Sequence, residues 1–261
     1  MVQAPTIDDR SGLLAQLESE GYALVQPGAA GRALQLDLAA LDGLRDSWER
    51  LPRDQYLRDG GPYRSRRHSC LVQTPGVELL AVPHRAHWQP TAYNALHGGM
   101  QRWFEPLEPV VSASPVWRQL VSSLGELFAQ VEPVSRWYIE AHQFRIDTAG
   151  GIGRPTPEGA HRDGVDFVAV VLVARRAVYG GETRVFDANG PAGVRFTMEQ
   201  PWSMLLMNDA RVIHETTPIQ SRGAAGVRDT LVLTYRAGGF QAPEVEGGEG
   251  RDGAGEGGEG A

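Results

Sequence analysis

Lysine is missing altogether: all 25 basic side chains among the 261 residues are arginine. Schiff-base chemistry, including covalent attachment of pyridoxal phosphate, is thereby excluded. Cysteine is nearly missing too. With Cys70 alone, neither a disulfide framework nor a thiolate metal cluster can form, which fits a reducing cytoplasm. No apolar run approaches the roughly 18 residues of a membrane helix, and the opening MVQAPTIDDR lacks the charged-then-apolar order of a signal peptide. A soluble, cytoplasmic protein without a membrane partner is expected. The formal charge of -7 is concentrated at one end, because the segment from Ala242 to Ala261 carries six carboxylates against Arg251 alone. The remainder is close to balanced and implies no nucleic-acid partner.

Apolar residues make up 41% of the chain, enough for one sizeable core. We expect a single domain over 1–241, helix-rich over 1–133 and β-rich over 134–241. The acidic Gly/Glu tail over 242–261 has too little apolar content to offset its ordering entropy and is expected to be disordered. Leucines at helical spacing in RSGLLAQLESE predict a helix that ends at Gly21 before a short strand YALV. A second helix is expected over 33–51. A third, over 114–131, has Ser114 as candidate N-cap and Pro115 at its first position, with Trp117, Leu120, Val121, Leu124, Leu127 and Phe128 on one face. From Val134 onward, short β-rich runs follow one another between Gly, Asn, Asp and Pro, with no helices of crossover length between them. The fold class is therefore mainly β with flanking helices, its core an antiparallel barrel or jelly roll. The GGIG at 150–153 does not continue into a dinucleotide fingerprint and reads as a loop.

The stretch EGAHRDGVDF (158–167) sets His161 and Asp163 two residues apart. On extended backbone such residues share a side and can offer an imidazole and a carboxylate to one ion. An H-x-D taken alone is also an ordinary polar turn. His214 in ARVIHETTPI is the candidate third ligand, while His68, His84, His87, His97 and His142 are alternatives or satisfied structural histidines. Two imidazoles and one carboxylate leave positions open on an octahedral ion, the arrangement of non-haem Fe(II) oxygenases. Arg228, with Thr230, Val232 and Thr234 on its face of the strand RDTLVLTYR, offers a guanidinium and a hydroxyl suited to a carboxylate deep in a barrel. The competing reading pairs Arg228 with Asp229 or Glu215 at a rim.

HQFRI (142–146), PEGAHRDGVDFV (157–168), GGET (180–183), LLMNDARVIHETTPI (205–219) and RDTLVLTYR (228–236) together resemble the bacterial Fe(II)/2-oxoglutarate-dependent dioxygenases that include isoleucine dioxygenase and related free L-amino acid hydroxylases. The resemblance runs in matching order over 137–236, and more loosely over 59–69 and 88–106. It implies a double-stranded β-helix (jelly-roll, cupin-like) core, with His161, Asp163 and His214 as iron ligands and Arg228, aided by Thr230, holding 2-oxoglutarate. The cofactors implied are Fe(II), the co-substrate 2-oxoglutarate and O2. The activity implied is hydroxylation of an aliphatic carbon of a free L-amino acid or close derivative, with 2-oxoglutarate decarboxylated to succinate. Related halogenases carry a small residue in place of the carboxylate ligand; Asp163 is retained here, which favours hydroxylation or desaturation.

Further residues are weaker candidates. Gln143 and Arg145 share a strand face and are read as substrate or supporting residues, or as a polar face toward solvent. Glu158 is a candidate for fixing the His161 loop, and Thr183 and Trp202 for lining the pocket. Arg64, Arg66 and Arg67 read as a solvated surface in preference to a carboxylate clamp. The alternative to an enzyme is a non-catalytic jelly-roll protein that binds a metal or a small carboxylate. Homo-oligomerisation is left open.

Overall fold

Long β-branched runs whose two faces are both covered form central strands. In the computed structural model, which describes residues 7, 9–223 and 225–243, the strands in chain order are β1 (Tyr22–Val25), β2 (Arg64–Thr74), β3 (Glu78–Ala81), β4 (Trp137–Asp147), β5 (Phe167–Arg176), β6 (Val178–Gly180), β7 (Thr183–Asp187), β8 (Gly193–Phe196), β9 (Met204–Asn208), β10 (Val212–Thr216), β11 (Ile219–Ser221) and β12 (Val227–Arg236). A seven-stranded sheet has the order β1-β9-β5-β12-β4-β2-β3, with antiparallel neighbours throughout. A three-stranded antiparallel sheet, β10-β7-β8, lies over part of it, and β11 pairs with β6. This is the expected mainly β jelly roll. The part expected to be helix-rich also contributes β1, β2 and β3 to the major sheet. Beyond Pro243 the expected disordered tail lies outside the described residues.

The major sheet is covered on its other face by helices. α1 (Arg10–Glu20) ends at Gly21, whose φ of 77° lets its N–H reach back to Leu17 O, as expected of a glycine terminator. One helix over 33–51 does not form. Instead α2 (Pro27–Leu34) stops at Gln35, which is left-handed at φ 54°; α3 (Leu38–Asp42) restarts where the Asp37 carboxylate accepts the N–H groups of Ala39 and Ala40; and a 3-10 turn spans Arg45–Arg50. The local capping chemistry of Asp37 outcompetes the helical periodicity that runs across it. After the short α4 (Pro109–Ser112), α5 (Pro115–Val131) starts with Pro115 in its first turn, although the Ser114 side chain makes no capping bond. Its expected face is buried against the sheet: Phe128 stacks on Phe167 with ring centroids 4.6 Å apart and meets Tyr235 edge-on at 5.0 Å.

Alternation then assigns the two faces of each central strand. Ile139 and Ala141 of β4, Ala169, Val171 and Val173 of β5, and Leu231, Leu233 and Tyr235 of β12 point into the helix-side core. Val168 and Leu172 of β5 point the other way, packing with Val185, Leu205, Met207 and Val212 between the two sheets. The β1-β9-β5 half of the major sheet is thus roofed by apolar contact, while the β12-β4-β2 half is left to line a cavity. Replacing Phe128, which is wholly buried, by Ala should lower unfolding free energy by about 3–5 kcal/mol, measured by denaturant titration; a cost under about 1 kcal/mol would mean that α5 is not docked through this ring.

Candidate metal centre and cavity

His161 and His214 come together because the backbone of His161 bridges to β10, with His161 N to His214 O and His214 N to His161 O both 3.0 Å. Only His161 is strand-like here. Asp163 lies in the following turn, so it reaches the histidines by loop geometry and not through the two-residue alternation of a strand. That turn is held by Asp209, whose carboxylate accepts the N–H groups of Asp163 at 3.0 Å, Gly164 at 2.8 Å and Val165 at 3.2 Å. Gly164 is required: its φ is 75°, and a Cβ would come within 2.4 Å of the Tyr93 ring. The Gln241 amide adds hydrogen bonds to the carbonyls of Asp163 (3.1 Å) and Gly164 (2.8 Å).

His161 Nδ1 donates to Gly159 O at 2.9 Å, so in the neutral ring the proton sits on Nδ1 and Nε2, turned inward, is the free ligand atom. His161 Nε2 is 3.8 Å from Asp163 Oδ1, and His214 Nε2 is 3.8 Å from Asp163 Oδ2. These separations are too long for hydrogen bonds, yet all three donor atoms lie within 4.8 Å of one another. His214 Nδ1 is buried without a partner. Two imidazoles and a carboxylate that converge without bonding each other form a donor set that fits a divalent cation of intermediate hardness such as Fe(II). The electrostatics free the lone pair of His214, while in the metal-free site they favour a proton on His161 and Asp163 that a cation would displace. Burial lowers the His214 pKa to about 3, with His161 adding to the shift, so its lone pair is available. At His161 burial opposes charge, but Asp163 and Glu158 outweigh it and raise the pKa; Asp163 is itself pushed up by burial and by Glu158.

The triad borders a cleft lined by side chains of both sheets and of the connecting loops. Its floor is a set of cross-strand rows: Arg64, Ile146 and Arg228; Arg66, Phe144 and Thr230; His142 and Val232. Arg228 and Thr230 both line the cavity. Arg228 is buried, makes no hydrogen bond or ion pair among the described residues, and has its pKa lowered by burial to about 10. The rim pairing with Asp229 or Glu215 does not occur, since Asp229 binds Arg145 and Glu215 binds Arg184. Glu158 also lines the cleft, with Oε1 3.5 Å from His161 Nε2.

Other expected positions are placed elsewhere. Gln143 and Arg145 do share a face of β4, but it is the helix-side face. Gln143 donates to Ser47 Oγ at 2.9 Å, and Arg145 binds Asp229 and Glu49. Trp202 sits in the helix-side core, its indole N–H on Asp42. Thr183 reaches the cavity only through Thr216, their hydroxyl oxygens 3.2 Å apart. Arg64 and Arg66 are not a solvated surface: both are buried and line the cleft, while Arg67 on the opposite face binds Glu105. The residues that the sequence reading missed are Arg102, Gln89 and Glu140. Alternation along β2 and β4 could have found Glu140, two positions before His142; Arg102 and Gln89 lie in irregular backbone that carries no periodic signal.

Glu140 and three histidines form a second polar cluster. Glu140 Oε2 accepts from His87 Nδ1 (3.1 Å), its Oε1 faces His68 Nε2 (3.3 Å), and His142 Nδ1 lies 2.7 Å from Arg66 Nη2. Burial lowers the pKa of His68 and of His142, and that of His87 to about 3. The unfolded chain binds protons below about pH 6.5 that the folded chain refuses, so stability falls with falling pH, by up to about 1.4 kcal/mol per pH unit per histidine. For His87 the window runs from about 6.5 down to about 3. Melting of the metal-free protein should therefore drop in temperature as pH is lowered from neutrality toward 5, and His87→Gln should flatten the slope; a pH-independent melting temperature would contradict neutral burial.

The family model for the 2OG-Fe dioxygenases matches residues 45–234. Among solved structures, a bsmA homolog from Methylobium petroleophilum PM1 is 56% identical over 94% of this chain and 99% of its own, with a TM-score of 0.88. IDO from Bacillus thuringiensis (19% identity, TM-score 0.71, 87% of this chain and 98% of that one) and the Fe(II)/(alpha)ketoglutarate-dependent dioxygenase TqaL (17%, 0.66, 87% and 86%) share the fold. No curated protein gives a significant match. Among the described residues no helix is long and apolar enough to cross a membrane.

Proposed function

The chain belongs to the 2OG-Fe dioxygenase family, whose members use Fe(II), 2-oxoglutarate and O2, and from that premise we propose that it hydroxylates an aliphatic carbon of a free L-amino acid or a close derivative. In this reading His161, Asp163 and His214 hold the iron, and Arg228 with Thr230 binds the far carboxylate of 2-oxoglutarate. Residues 1–241 act as one domain, since α1 and β1 pack into the same core as the family-matched strands. The observation that carries the proposal is the converging triad in one cleft with a buried arginine that has no counter-ion among the described residues.

Bound iron, with O2 and 2-oxoglutarate, supplies the oxidising power to insert oxygen into a C–H bond while 2-oxoglutarate becomes succinate and CO2. The chain's residues do the placing. Gly159 O fixes the His161 tautomer, and Asp209 fixes the turn that carries Asp163. Phe144, Ile146, Val170 and Val232 give the cleft floor an apolar strip, which lowers the local dielectric and strengthens a carboxylate–guanidinium pair at Arg228.

Asp163→Ala or His214→Ala should abolish tight Mn(II) binding, followed by electron paramagnetic resonance, together with Fe(II)-dependent succinate release. Arg228→Gln should raise the KM for 2-oxoglutarate about ten- to a hundredfold, the loss of one charge-assisted pair. A screen of L-amino acids should yield a product heavier by one oxygen. Tight binding of metal and 2-oxoglutarate with no succinate under any condition would identify a binding protein and not an oxygenase.

A further inference from the structure

Beyond the triad and Arg228, the cleft holds two guanidiniums without an ion-pair partner among the described residues and a carboxylate with one oxygen unpartnered. Arg66 is clamped between aromatic rings, its Cζ 3.8 Å from the Phe104 centroid and 4.4 Å from that of Phe144; Nη2 contacts His142 Nδ1, and Nε is buried without a partner. Arg102 spends Nη2 on the Gln89 amide oxygen at 2.9 Å, and its Nε is likewise buried and unpartnered. Neither guanidinium has a carboxylate within ion-pair distance among the described residues, whereas Arg64 is paired with Asp54 at 2.7 Å. Glu158 shows the converse: Oε1 faces His161, and Oε2 is buried without a partner. Buried guanidiniums that meet only neutral groups, and a buried carboxylate oxygen that meets none, are costly unless a ligand completes them.

The ligand that completes them is not 2-oxoglutarate, whose far carboxylate is taken by Arg228. Nor is it a second metal ion held by His68, His87, Glu140 and His142, although those donor atoms are close together. Arginine can only donate, so the contact with Arg66 occupies the His142 Nδ1 lone pair and leaves Nε2 carrying the proton. Both Glu140 oxygens already face imidazole nitrogens. The cluster is a hydrogen-bonded brace, and His142 is a positioning residue for Arg66.

Resting on the amino acid reading above, we infer that Arg66 and Arg102 bind the primary substrate's carboxylate and that Glu158 binds its ammonium group, so the site demands an unblocked zwitterion. Two unpaired guanidiniums and one half-partnered carboxylate in one cavity discriminate among the alternatives. A dicarboxylate would meet Glu158 as a like charge, a simple amine would leave the guanidiniums uncompensated, and a residue within a peptide offers neither charge.

The test uses the full chain with Fe(II), 2-oxoglutarate and O2 for succinate release, and with Mn(II) and 2-oxoglutarate for calorimetric binding. The amino acid that most stimulates succinate release is compared with its carboxamide and its N-acetyl derivative. Both derivatives should bind about ten- to a hundredfold more weakly, as expected for loss of one charge-assisted contact. Arg66→Gln and Arg102→Gln should weaken the acid by a similar factor and the carboxamide much less. Glu158→Gln should narrow the gap between the free amino acid and its N-acetyl form. Should the variants misfold by circular dichroism, the ligand comparison on the wild-type chain decides alone. Equal binding of acid and carboxamide, or a protein that binds Mn(II) and 2-oxoglutarate but answers no free amino acid, overturns the inference; failure to bind Mn(II) and 2-oxoglutarate at all overturns the underlying oxygenase reading instead.

Discussion

The cavity depends on the register of β4 between β2 and β12. Side chains alternate across a strand, so a slip of one residue would carry Glu140, His142, Phe144 and Ile146 into the helix-side core and bring Gln143 and Arg145 into the cleft. One feature of the helix-side face resists such a slip. Arg145 and Asp229 stand opposite each other in the β4–β12 pairing and form a two-pronged ion pair, Nε to Oδ1 and Nη2 to Oδ2 both 2.7 Å, with the Asp229 side chain almost wholly buried. A misregistered pairing would leave that carboxylate buried and alone, at a cost of several kcal/mol. The ion pair therefore acts on the cavity from the opposite side of the sheet, without touching anything in it.

The metal-binding candidates are organised on different terms. They belong to β10 and to the turn before β5, on the minor-sheet side, where no long strand enforces a register. Their placement comes from a single backbone bridge between His161 and His214 and from Asp209, which gathers three consecutive N–H groups. Because β9 ends at Asn208 and β10 begins at Val212, Asp209 sits in the connection between the two sheets. The turn carrying Asp163 is thus tied to the element that carries His214, and the distance between the two ligands is fixed locally.

Legibility in the sequence followed the same division. The α5 face, the glycine that ends α1 and the inward set Arg228, Thr230, Val232 and Thr234 were readable because periodicity reports which residues share a side. Periodicity does not report which side faces a cavity. Gln143 and Arg145 were rightly grouped but belong to the face packed on helices. The arginines of RSRRHS looked like a solvated run because a charged segment normally is one; that part of β2 becomes buried only when β4 and the 52–54 segment flank it, the first a long-range fact. Trp202 carries no periodic signal, standing at a left-handed φ of 67° beyond any strand. The helix expected over 33–51 failed at Asp37, where the side chain competes for the backbone donors.

The two organising devices converge on one consequence for chemistry. Guanidiniums come from the major sheet and from the Gln89–Arg102 loop, and metal-type donors come from the minor sheet, so any molecule bridging them spans the gap between layers. That gap is set at one end by the apolar cluster of Val168, Leu172, Val185, Leu205, Met207 and Val212, which packs the sheets together. Under β12, β4 and β2 that cluster does not continue, and the space is lined by polar groups around the apolar strip of Phe144, Ile146, Val170 and Val232. Val170 and Val232 mark the border between the two regimes, being packed against the cluster and also lining the cleft. Close packing cannot transmit a change at one point without movement at its neighbours. Enlarging a side chain in the cluster would therefore spread the sheets and lengthen the reach from Arg228 to the histidines without altering any residue that lines the cleft between them.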